Sequence, residues 1–119
     1  MSKDFELEKI ANTWIEAHLK SEMTELDEMS LNNNPDEYLD IILIILEKID
    51  SNTKNKLFSL LAAGPLEELL QENGTKIINR VTILARQNPE FRLLLNGVWD
   101  NEFDVSVKSK LSKYMKNRW

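Results

Sequence analysis

The sequence predicts an all-α fold, a single domain spanning residues 1–119 and built of six or seven short helices. These would pack as antiparallel hairpins in a compact helical bundle. Three observations lead there. Apolar residues recur at spacings of three and four along most of the chain, which is the period of a helix buried on one face. Strict alternation of apolar and polar residues, the mark of a half-buried strand, is nearly absent. Pairs that punctuate helices, Asn34-Pro35, Gly64-Pro65, Asn73-Gly74, Asn88-Pro89 and Asn96-Gly97, divide the periodic stretches into lengths of a few turns.

The first helix is expected over about Asp4 to Lys20, with Leu7, Ile10, Ala11, Trp14 and His18 on one face. Asp4, Glu6 and Glu8 lie in its first turns, where negative charge suits the helix dipole. Residues 21–34, SEMTELDEMSLNNN, read as a long acidic surface loop ending in an asparagine run. A second helix begins at Pro35, capped by Asn34 and carrying Asp36 and Glu37 in its first turn, and runs to about Ile49. It is apolar over most of its circumference, which places it at the centre of the core or half under a partner.

Asp50 or Ser51 is the expected cap of a third helix, reaching Ala63 with Leu57, Phe58, Leu60 and Leu61. Gly64-Pro65 then reads as a corner, with glycine ending one helix and proline starting the next. A fourth helix carries Leu66, Leu69 and Leu70 and stops at Asn73-Gly74. Thr75 opens a fifth with Ile77, Ile78, Val81, Leu84 and Ala85 inward. Asn88-Pro89 starts a sixth with Phe91, Leu94, Leu95 and Val98, and Trp99 is expected to plug the core beneath the loop that follows. From Asp104 a seventh helix is expected to the end, with Val107, Leu111, Tyr114, Met115 and Arg118 along one side. Trp119 either docks back or stands exposed.

Net charge is −5, unevenly spread: residues 1–50 hold 4 basic and 13 acidic side chains, and residues 104–119 hold 5 and 1. A free nucleic-acid binder carries a basic field over a whole face, and the acidic half opposes that. There is no cysteine, which removes disulfides, thiolate metal sites and thiol nucleophiles. The start, MSKDFELEKI, lacks the basic and apolar regions of a secretory signal, and the apolar run Ile41 to Leu46 is far shorter than the roughly 20 residues of a membrane span. A cytoplasmic location is the expectation.

Catalytic groups are sparse. His18, the only histidine, sits on an apolar stripe and reads as a core or boundary residue. There is no Glu-x-x-His pair, no Gly-x-Ser-x-Gly, and no lysine after a glycine-rich loop. No catalytic, metal-ligating or cofactor-binding residue is assigned, and no cofactor is expected. Carboxylate pairs such as Glu67 with Glu68, or Asp36 with Asp40, are explained by solvated helix faces. Asn73-Gly74-Thr75 matches a glycosylation sequon, but a helix stop and cap account for it.

The segment Leu61 to Trp99 resembles a family of small uncharacterised bacterial proteins with a domain of unknown function. The resemblance lies in LAAGPLEELL, Gly74, ARQNPEF and GVW. It implies a short HEAT-like stack of paired helices in which Gly64-Pro65 bends the chain and Trp99 closes the core. It implies no activity and no catalytic residue.

These readings converge on a small intracellular protein-interaction module, immunity- or antitoxin-like, that binds a cationic partner through Glu22, Glu25, Asp27, Glu28, Asp36 and Asp40. Two rivals stand beside it: a nucleic-acid-associated module using Lys76, Arg80, Arg86 and the terminal lysines, and a carboxylate-dependent enzyme. Homodimerisation through Ile41 and Ile44 is a further expectation.

Overall fold

The computed structural model describes residues 3–19 and 34–119. Helix α1 (Lys3–Leu19) buries Leu7, Ala11 and Trp14, at the expected spacing, against α2 (Pro35–Lys48). The Asn34 side chain accepts the Glu37 amide at 3.1 Å, so the cap and the proline start are found where the sequence places them. Tyr38, Leu39, Ile41, Ile42, Ile45 and Leu46 are all buried, and α2 packs on both α1 and the long helix described next.

Helix α3 departs from expectation. It starts as Lys56–Leu61, passes through a π turn at Ala62–Leu66 and continues as Glu67–Gln87. Its cap is Asn55, whose side chain accepts the Leu57 and Phe58 amides, and not Asp50 or Ser51. Gly64-Pro65 is therefore not a corner. Proline inside an α-helix lacks the N–H for the carbonyl four residues back and collides with it. The π turn relieves this by widening the helix, and the Glu67 amide donates to Ala62, five residues back. The chain bends instead at Asn73, whose backbone is non-helical at φ −134° and ψ 21°. There the buried Gly74 lies so close to Val107 that a Cβ would meet its Cγ2 at 2.9 Å.

Helix α4 (Pro89–Leu95) is capped by Asn88, and α5 (Val105–Leu111) by Asp104. The Asp104 carboxylate is held below its usual pKa, first by the Ser106 hydroxyl and then by the Ser106 amide. Because three expected helices fuse into α3, the described residues form five helices, and the predicted stack of short HEAT-like hairpins is replaced by one long kinked helix packed against α2, α4 and α5. The all-α class itself holds, with no strand among the described residues. No described helix is long and apolar enough to cross a membrane.

The carboxyl-terminal part corrects two further expectations. Helix α5 stops at Leu111, and a 3₁₀ turn at Ser112–Tyr114 leads into a non-helical tail. Buried Asn96 draws that tail in. Its Nδ2 donates to Arg92 O and Tyr114 O, and its Oδ1 accepts the Asn117 amide. Trp99 is 64% exposed and closes nothing. Trp119, 39% exposed, docks at the edge of the core instead: its ring stacks on Phe58 at 5.5 Å, its Nε1 donates to Leu93 O at 2.6 Å, and it rests on Gly97. A Cβ on Gly97 would clash with the edge of the Trp119 ring. Gly97→Ala is thus expected to displace that ring and to cost about 1–3 kcal/mol by overpacking. A shifted Trp119 indole resonance and a lower urea midpoint would show it.

Candidate functional site

Helix α2 is not covered all round. Asp40, Leu43, Ile44, Glu47 and Lys48, at i, i+3, i+4, i+7 and i+8, form one stripe, and with Leu7 and Glu8 of α1 they line a groove of about 480 Å³. Its floor is apolar: Leu7 is buried, and Leu43 and Ile44 are half-buried. Its rim carries three acidic side chains, Glu8, Asp40 and Glu47, and one basic one, Lys48. The stripe from Asp40 to Lys48 is about 12 Å long at helical rise.

Ion pairs mark both ends of that stripe. Lys48 Nζ lies 3.0 Å from Glu8 Oε2. At the other end Arg80 of α3 bonds Asp40, and its Nη1 reaches both the Asp36 carbonyl at 3.1 Å and the Asp36 carboxylate at 3.4 Å. The rim thus already holds two cations of the chain itself, while Glu47 has no ion pair among the described residues. The Arg80 pairs are exposed, with side-chain accessibilities of 36% for Arg80, 72% for Asp36 and 40% for Asp40, so solvent screens them. Arg80→Gln is expected to change stability by less than about 1 kcal/mol while leaving both aspartates free to pair with another cation. Chemical denaturation of the variant checks the first half of that statement.

Of the six acidic residues singled out in the sequence, Glu22, Glu25, Asp27 and Glu28 lie outside the described residues. Asp36 and Asp40 are brought together by Arg80, which the rival nucleic-acid reading had claimed, and only Asp40 lines the groove. Ile41 is fully buried, so it offers no surface for self-association, whereas Ile44 does face the groove. Sequence reasoning missed Glu8 and Glu47. The signal was present in the 40/43/44/47/48 spacing, but only the position of α1 shows which α2 face stays open.

His18 stands at the core edge, half-buried, with its ring stacked on Trp14 at 4.2 Å and Nδ1 donating to Trp14 O at 3.0 Å. That agrees with a boundary histidine. No group of three His, Asp or Glu among the described residues could hold a metal ion. The sequence model of a family of unknown function, DUF6869, matches residues 11–119, and the chain belongs to that family. No curated protein and no solved structure matches the chain.

Proposed function

We propose that this member of the DUF6869 family is a protein-interaction module that seats a cationic, apolar segment of a partner protein in the groove between α1 and α2. The observation that carries the reading is the stripe on α2, where half-buried Leu43 and Ile44 lie between Asp40 and Glu47. An apolar floor supplies affinity through burial, and an acidic rim supplies orientation and on-rate toward a basic partner. The acidic excess of residues 1–50 extends that attraction beyond the groove. A neutralising role inside the cell, of the immunity or antitoxin kind, is the form of interaction that such a surface suits.

Affinity capture from cell extract, run in parallel with the wild type and Glu47→Lys, tests the reading. Glu47 is exposed and unpaired among the described residues, so the substitution leaves the fold intact. A stoichiometric protein held by the wild type, released by salt and bound about tenfold more weakly by the variant supports the groove. Equal capture by both removes it. Arg80→Gln adds the opposite sign: freeing Asp36 and Asp40 is expected to tighten capture of the same protein.

A further inference from the structure

On α3, Asn79, Thr82 and Arg86 follow one another at i, i+3 and i+7, and so share a face distinct from the one carrying Arg80. With Ser109 and Lys110 of α5 and Ser112 to Tyr114 of the 3₁₀ turn, they line a second cleft of about 440 Å³. No aliphatic side chain lines it, in contrast to the groove on α2. Three cationic residues line it, Arg86, Lys110 and Lys113, and none has an ion pair among the described residues. Lys113 Nζ lies 5.2 Å from the centre of the Tyr114 ring.

Lysines near helix carboxyl ends are ordinarily explained by the helix dipole, and the charge arithmetic decides whether that suffices. The cleft lies beside the carboxyl ends of α3 and α5, each equivalent to about half a negative charge. Three cations against about one negative charge leave an excess of roughly two positive charges in a polar concavity. Two hydroxyls do not add donors, since Thr82 gives its proton to Asn79 O and Ser112 to Ser109 O. Recognition therefore falls to the guanidinium, the two ammonium groups, the Asn79 amide and the Ser109 and Tyr114 hydroxyls.

We propose that this cleft binds a small phosphorylated ligand through Arg86, Lys110 and Lys113. Phosphate oxygens match that set, Arg86 by paired N–H donors and the lysines as point charges. The cleft is open to solvent, and its volume of about 440 Å³ leaves room for a small ligand. A nucleic-acid strand fits less well, because the chain carries a net charge of −5, with 13 acidic side chains in residues 1–50 alone.

The test is an NMR titration of the full-length ¹⁵N-labelled protein with inorganic pyrophosphate and, separately, with a short single-stranded oligonucleotide. Pyrophosphate is expected to saturate, with amide shifts confined to Thr82, Arg86 and Ser109 to Tyr114. The exposed double substitution Arg86→Gln with Lys110→Gln is expected to weaken it about tenfold without changing the melting temperature. Shifts that never saturate and spread over Lys54, Lys76 and Lys116, unchanged affinity in the variant, or tighter binding of the oligonucleotide would each overturn the proposal. None of these outcomes bears on the acidic groove.

Discussion

Phe58→Ala is expected to lower stability by about 3–5 kcal/mol, the range for removing a buried aromatic ring. Phe58 is fully buried at the start of α3, and the deletion would leave a cavity with the Trp119 ring as its lid. Stacked pairs contribute about 0.5–1.5 kcal/mol beyond burial, so part of the loss belongs to Trp119. Chains of this length are stable by roughly 6–18 kcal/mol, so the variant loses a large share of the total. A urea titration would show the midpoint falling at constant slope. Phe58→Ala and Gly97→Ala both unseat the same ring, so their combined cost should be smaller than the sum of the two. A combined cost equal to the sum would mean that Trp119 does not link the two sites.

The second large effect is expected from Asn96→Leu, at about 3 kcal/mol. Asn96 is 3% exposed, and its side chain makes three hydrogen bonds, to Arg92 O at 2.8 Å, Tyr114 O at 2.9 Å and the Asn117 amide at 3.0 Å. Leucine keeps the bulk but leaves the Tyr114 carbonyl and the Asn117 amide unpaired, each costing about 1–3 kcal/mol when kept from water. The tail escapes part of that cost by lifting off, which also breaks the bonds from the Trp119 amide and Arg118 Nε to Asn96 O. Hydrogen exchange at the amides of Asn117 and Trp119 should rise well above that in the core of α2. Protection equal to that of the wild type would show that Asn96 does not hold the tail.

The parts of the fold that could be read from the sequence are those set by near neighbours. Asn34, Asn88 and Asp104 cap helices because a short side-chain acceptor meets amides two or three residues on. The apolar circumference of α2 indicated a central helix, and α2 contacts α1, α3 and α4. Gly64-Pro65 reads as a corner in the sequence and is not one: the same pair fits a break or a widened turn, and which one forms depends on whether the helices on either side pack as one rod. The choice between Trp99 and Trp119 as the closing ring was not legible, because Gly97 and Asn96 decide it across some twenty residues of chain. Arg80 likewise reaches Asp36 from 44 positions away, so no local pattern pairs them. The groove was half legible. Its α2 stripe follows from helical spacing, while Glu8 joins it only through the packing of α1.

The groove is tested most directly by titrating the ¹⁵N-labelled protein with a basic amphipathic peptide of lysine and leucine, beside a glutamate and leucine peptide of the same pattern. A cationic docking groove requires saturable amide shifts at Leu7, Glu8, Leu43, Ile44 and Glu47 with the basic peptide alone. These should weaken as salt rises from about 0.05 M to about 0.3 M, because the rim charges are exposed. Equal binding of both peptides, or shifts that bypass Leu43 and Ile44, would contradict the proposed function.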